Sequence, residues 1–134
     1  MTFSCRNRSR VSLRKKGEVK SIWSLTSQKG ARAYHFRAIF HDWPDEKCKQ
    51  ILEQVVSVMQ PGYSRVLISE FILPDDKARP FPASLDVQMM GLHAGRERSE
   101  SQWRSLLDSS GLTNSGIWQK LPGGEGVIEA VLPQ

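Results

Sequence analysis

The chain lacks most of the features that announce a protein class at first sight. It has two cysteines in 134 residues, Cys5 and Cys48, far apart and without CxxC or Cys/His spacing. That excludes a disulfide framework and a thiolate metal cluster, and it reads as two unpaired thiols in a reducing compartment. No apolar run approaches the roughly 20 residues that a membrane span needs, and Met1 to Ser12 has no apolar core of a secretory signal. A cytoplasmic protein with no membrane contact is therefore expected. His35 and His93 have no acidic or thiol companions at ligand spacing, so no metal is expected. The glycine pair Gly123-Gly124 lacks the following helix that a phosphate cradle requires, and no GxGxG occurs anywhere. There is no internal repeat.

Acidic residues are also scarce, but only at one end. Residues 1–32 hold nine Lys and Arg against one acid, Glu18, whereas residues 33–134 hold ten against thirteen. The overall charge of +5 is thus a property of the N-terminal stretch. Residues 1–29 are basic, Ser-rich and short of apolar periodicity, and they read as a disordered tail. A mitochondrial presequence, a functional basic arm for nucleic acid or anionic lipid, and a passive tail or misjoined exon all fit that composition. The remainder, residues 30–134, is net acidic and lacks an interleaved aromatic–basic pattern, so nucleic acid is not an expected partner of the body. Its length and the 39% apolar content of the chain suit one domain with a real core.

Ala33 to Phe40 reads as a strand, with Tyr34, Phe36, Ala38 and Phe40 alternating. Pro44 suits the first turn of a helix, with Asp42 or Trp43 near its cap and Asp45 and Glu46 favourable to its dipole. Cys48, Ile51, Leu52, Val55, Val56 and Met59 recur at helical spacing up to Pro61-Gly62. Ser64 to Leu73, SRVLISEFIL, has the texture of a parallel strand buried on both faces. After a Pro-rich loop, Leu85, Met89, Met90 and Leu92 suggest a second helix over 83–92. Ser99 with Gln102 resembles a capping box opening a third, with Trp103, Leu106 and Leu107 on one face and Gly111 as its stop. Thr113 to Gln119 and Val127 to Leu132 predict an antiparallel hairpin across LPGGEG. The order is β-α-β-α-α-β-β.

His41 and Glu70 carry the chemistry most directly. Both fall at or near the carboxyl ends of the first two body strands, where ligands bind in open α/β sheets. If those strands are parallel neighbours, their axes lie about 4.8 Å apart and the two side chains share a crevice. A carboxylate inside VLISEFIL needs a partner, and His41 is the obvious one. Glu70 would then fix the imidazole tautomer and leave the other nitrogen free as a base. A structural His–Glu pair fits the pattern as well as a catalytic one. Asp42 reads first as a helix cap. Trp43 either walls a flat ligand or packs on the sheet edge. Met89 and Met90 either line a pocket or fill core. Glu97, on a loop before a helix, reads as a solvated charge.

Five segments, YHFRAIFHDWPDEKC, PGYSRVLISEFILP, LDVQMM, GRERSESQWRSLLDSSGL and GGEGVIEAVL, together resemble the small-molecule O-methyltransferases of the plant caffeate and fungal secondary-metabolite type. The resemblance runs from about Gly30 to Leu132. It implies the C-terminal part of a doubly wound, Rossmann-like methyltransferase sheet ending in an antiparallel hairpin. It implies S-adenosylmethionine as methyl donor and a small aromatic hydroxyl compound as acceptor. On it, His41 is the base that removes the acceptor proton, and Glu70 and Glu97 are the carboxylates that orient it. Arg37, Asp42 and Trp43 lie on the donor side. Asp86, Met89 and Met90 build part of the acceptor pocket.

The family's glycine-rich donor loop, the acid that holds the donor ribose and the N-terminal dimerising domain have no counterpart in these residues. Four strands of the family's seven-stranded sheet are expected, with one exposed edge. A non-catalytic truncated homologue that pairs with a relative, or with itself, through that edge is the alternative expectation.

Overall fold

The computed structural model describes residues 10–13, 29–75 and 96–134. Strand β1 (Arg10–Leu13) is followed by β2 (Ala33–Arg37), a 3-10 turn (Phe40–Asp42), α1 (Asp45–Val58), β3 (Arg65–Leu73), β4 (Arg98–Ser99), α2 (Glu100–Ser109), β5 (Thr113–Gln119) and β6 (Glu125–Val131). The strands make one sheet in the order β1-β2-β3-β6-β5, with β4 also on β3. β1, β2 and β3 run parallel, as does β4 to β3. β6 is antiparallel to β3 and to β5, so the last two strands form the expected hairpin.

The architecture is the α/β sheet anticipated from the sequence, with three differences. Arg10–Leu13, inside the stretch read as a disordered tail, is a strand paired with β2 from Arg10↔Ala33 to Leu13↔Phe36. The edge of β2 expected to stand open is therefore paired, and the described sheet has six strands rather than four. The predicted first body strand stops at Arg37 instead of Phe40, because Ala38 takes a positive φ of 52° and turns the chain. The strand over 65–73 is not buried on both faces. Val66, Ile68, Glu70 and Ile72 are buried while the residues between them are half-exposed. The helix expected over 83–92 lies outside the described residues.

One face of the sheet carries the core. Tyr34 and Phe36 of β2, Val66 and Ile68 of β3, and Ile128 and Ala130 of β6 join Cys48, Ile51, Leu52 and Val55 of α1 and Trp103, Leu106 and Leu107 of α2 in one cluster. The valine, leucine, isoleucine and phenylalanine side chains among them contribute about 1.5–3 kcal/mol each when fully buried. The two helices pack against each other on this face. Pro44 caps α1, with Asp45 and Glu46 in its first turn. Ser99 and Gln102 form the capping box of α2, in which Gln102 Oε1 accepts from the Ser99 amide at 3.0 Å. Gly111, at φ 77°, follows the end of α2 in the left-handed conformation that favours glycine.

Candidate active site

The site lies where β3 changes neighbours. β2 pairs with β3 as far as Arg37↔Ser69, and the Ala38 amide adds one more bond to the Ser69 carbonyl at 3.1 Å. β4 takes up the same edge only at Ile72↔Arg98. Glu70 and Phe71 occupy the interval, facing the 3-10 turn that carries His41. A gap between two strands is where backbone donors would otherwise go unpaired, and Glu70 supplies the missing acceptor. Its Oε1 accepts the amides of Ile39 and Phe40, each at 2.8 Å. Its Oε2 lies 2.8 Å from His41 Nδ1. Glu70 is 3% exposed, so these three contacts make its burial tolerable.

A carboxylate only accepts, so Nδ1 of His41 carries the hydrogen toward Glu70 and Nε2 is the nitrogen left for a base. Nε2 stands 3.3 Å from Asp42 Oδ1. The hydrogen bond to Glu70 raises the His41 pKa above the ordinary histidine value; burial opposes it, and the charges of Glu70, Asp42 and Glu97 add to the rise. The imidazole, 19% exposed, opens into a cavity of about 160 Å³ lined by Ala38, His41, Ser69, Glu70, Phe71, Glu97 and Glu125. Three of the seven lining residues are acidic, so the cavity favours a group that gains positive charge within it.

The structure brings His41, Glu70 and Glu97 to one pocket. Glu97 is a correction to the reading of a solvated charge: it is 4% exposed. Arg37 is exposed and bridges at 3.1 Å to Glu125, which also lines the cavity. Trp43 packs against the core cluster. Asp86, Met89 and Met90 lie outside the described residues. No group of three or more His, Cys, Asp or Glu among the described residues is placed to hold a metal ion, and none of the described helices is long and apolar enough to cross a membrane.

Sequence reasoning missed Arg98. Its guanidinium is fully buried. It donates to the carbonyls of Phe40 and Trp43 at 2.9 Å each, and to Asp45 Oδ1 at 2.9 Å through Nε. It also lies over the Trp103 ring, 5.3 Å from the centroid. Arg98 follows Glu97 in a run of alternating charge, GRERSE, whose composition reads as solvated, so nothing local announced its burial. Cys48, beside it, is a free buried thiol. Burial pushes its pKa up to about 11 against the lowering effect of Arg98.

Residues 17–113 match the O-methyltransferase domain family. Over 106 residues the chain is 44% identical to the O-methyltransferase mfmE of Annulohypoxylon moriforme, covering 79% of this chain and 26% of that protein. It is 45% identical over 103 residues to the O-methyltransferase asqD of Emericella nidulans, covering 76% of this chain and 27% of the relative. The chain thus spans about a quarter of the length of the curated relatives it matches. Among solved structures, OxaC in complex with sinefungin and meleagrin superposes with a TM-score of 0.73 at 39% identity, over 78% of this chain and 27% of OxaC.

Proposed function

The chain belongs to the O-methyltransferase domain family, and we propose that it carries the proton-removing half of a methyl-transfer site acting on the hydroxyl of a small aromatic acceptor. One observation carries the reading: an imidazole held by a buried carboxylate at Nδ1, with its ring facing a cavity walled by two further acids, Glu97 and Glu125. His41 is the base, through Nε2. Glu70 fixes the tautomer and, with Glu97, stabilises the imidazolium that forms.

S-adenosylmethionine is the proposed donor; when bound, it supplies a methyl group on a sulfonium, already activated toward an oxygen nucleophile. The fit of these residues to it is partial. A cavity of about 160 Å³ is smaller than the roughly 300–1,000 Å³ of pockets that enclose a whole drug-sized ligand. It suits the reacting end alone. Arg37, paired with Glu125, and Asp42 and Trp43, next to His41 in the chain, would meet the donor from its rim. Asp86, Met89 and Met90 complete the proposal on the acceptor side.

His41 would accept the acceptor's hydroxyl proton at Nε2, leaving the oxygen as the nucleophile toward the methyl group that the bound donor would supply. The proton's charge then sits among Glu70, Asp42 and Glu97, which are the groups that raise the His41 pKa. The walls position the oxygen, and proximity contributes as much as proton removal.

Transfer of a labelled methyl group from S-adenosylmethionine to a panel of phenols tests the reading, with calorimetric titration of S-adenosylhomocysteine beside it. His41→Asn should lower the transfer rate by about 10²–10⁴-fold and leave S-adenosylhomocysteine binding in place. Equal rates in the two proteins would remove His41 as the base. Absence of both binding and transfer in a folded chain would favour the non-catalytic homologue instead.

A further inference from the structure

The most heavily bonded side chain near the pocket does not touch it. Every nitrogen of the Arg98 guanidinium is engaged. Nη1 donates to the Phe40 carbonyl at 2.9 Å and to the Arg96 carbonyl at 3.4 Å. Nη2 donates to the Trp43 carbonyl at 2.9 Å and approaches Cys48 Sγ at 3.3 Å. Nε and Nη2 both reach Asp45 Oδ1, at 2.9 and 2.8 Å. The two carbonyls bracket His41 and Asp42 on either side. Arg98 is also the first residue of β4, whose pairing with Ile72 fixes the backbone of its neighbour Glu97.

Arg96 also bonds Asp45. Side chains 96 and 98 thus reach the same carboxylate, and Glu97 between them lines the cavity. That is the alternation expected of extended chain. Three segments distant in sequence, the 40–43 turn, the first turn of α1 and the approach to β4, are joined at one guanidinium.

We propose that Arg98 is a positioning residue: it ties the His41 turn to β4 and so sets His41 and Glu97 in one pocket. A planar fork with five donors can hold two carbonyls and a carboxylate at once. A lysine ammonium offers three donors from a point and cannot span them. The burial of a guanidinium is costly unless it is fully bonded, and here the bonds are spent on the backbone that carries the proposed base. The inference rests on the roles given above to His41 and Glu97, but its test does not need turnover.

The experiment is the titration of His41 by NMR of the imidazole in the folded chain, wild type against Arg98→Lys. The groups that face His41 are Glu70 from β3, Asp42 from its own turn and Glu97 from the approach to β4, with Glu125 of β6 on the cavity wall. If Arg98 positions the turn, Arg98→Lys loosens the Glu70 contact and withdraws Glu97, and the titration midpoint falls toward the ordinary histidine value. Trp103→Phe removes part of the stacking surface but not the clamp, and should leave the midpoint in place. A folded, cooperatively melting Arg98→Lys protein with an unmoved midpoint overturns the proposal.

Should Arg98→Lys fail to fold, Asp45→Asn decides. It weakens the carboxylate contact from a half-exposed position, and it must lower the midpoint in the same direction by a smaller amount; an unmoved midpoint overturns the proposal there too. Loss of methyl transfer in His41→Asn with an unmoved midpoint in Arg98→Lys would sink the positioning role alone. Unchanged transfer in His41→Asn would sink the base assignment, whatever Arg98 does.

Discussion

Glu70 holds His41 from two directions at once. Oε2 meets Nδ1 at 2.8 Å, while Oε1 binds the amides of Ile39 and Phe40, the two residues that lead into the histidine. One carboxylate therefore fixes both the ring and the backbone from which it hangs. That arrangement follows from the exchange of strand neighbours on β3, which leaves an interval where a side chain, not a ladder, must satisfy the amides.

Glu70→Gln should separate these roles. A glutamine keeps one acceptor oxygen but cannot accept from both the amide pair and the imidazole. Turned toward the imidazole, that oxygen leaves the Ile39 and Phe40 amides without their acceptor. Turned toward the amides, it sets an NH2 against Nδ1, which strands the Nδ1 hydrogen or forces the other tautomer, and a buried donor left unpaired costs about 1–3 kcal/mol. Thermal unfolding should show it as a lower Tm, by roughly 4 °C for each kcal/mol lost. The His41 midpoint should fall as well, since the Glu70 hydrogen bond is the largest cause of its rise. A variant with wild-type Tm and wild-type midpoint would contradict the reading of Glu70 as the anchor.

The pH dependence has a determined sign. His41 is raised in the folded state, above an unfolded value of about 6.5. Its contribution to stability is therefore fully present below about pH 6.5 and is lost as pH rises through the folded-state value. A base must be neutral to act, so methyl transfer should run the other way, rising as pH passes that same folded-state midpoint. Activity and stability should cross in one window above pH 6.5. Denaturant titrations and initial rates over pH 5.5–9 check this, and His41→Asn should flatten the stability slope. An activity midpoint below the ordinary histidine value would break the link.

The sequence made the elements legible where periodicity was strong. The α1 stripe of Cys48, Ile51, Leu52 and Val55 and the α2 capping box at Ser99 and Gln102 stand as their residues indicate, and the hairpin does too, except that its second strand begins at Glu125 inside LPGGEG, not at Val127, and ends at Val131. The contact of His41 with Glu70 also stands, because a carboxylate in an apolar strand has few ways to be satisfied. Three things were not legible. The turn at Ala38 needs a positive φ from a residue that does not advertise one. Arg98 sits in a charged run whose burial depends on carbonyls 55 and 58 residues away in sequence. Arg10–Leu13 has too few residues for a strand signal, and its pairing with β2 is a tertiary fact.

Cys48 should be inert while the fold is intact. Its thiol donates toward the carbonyls of Phe40 and Trp43, both at 3.4 Å, and burial holds its pKa near 11. At pH 8 almost none is thiolate, which is the reactive form. Alkylation at pH 8, read at the Cys48 peptide by mass spectrometry so that Cys5 does not interfere, should be negligible without denaturant and complete with it. In the Arg98→Lys protein, modification without denaturant would report an opened 40–43 turn directly. Rapid modification of Cys48 in the folded wild type would instead place the turn in an open state most of the time.

Ala38 offers the cleanest test of where the pocket's geometry comes from. A non-glycine residue in the left-handed region is disfavoured by roughly 1–2 kcal/mol, and Ala38 holds φ 52° because its amide is tied to Ser69 and the next two amides are tied to Glu70. Glycine carries an entropic penalty of about 0.5–1 kcal/mol in ordinary backbone, but here it also relieves the strain. Ala38→Gly should therefore be neutral or stabilising by up to about 1 kcal/mol, against the usual direction for such a change. Ala38→Val, with a branched side chain in the same region, should cost more than about 1 kcal/mol and lower the His41 midpoint as the turn relaxes toward extended backbone. Melting curves of the two variants settle the matter. If Ala38→Gly destabilises by 1 kcal/mol or more, Glu70 does not impose the turn, and the position of His41 must be set from the other side, by Arg98 alone.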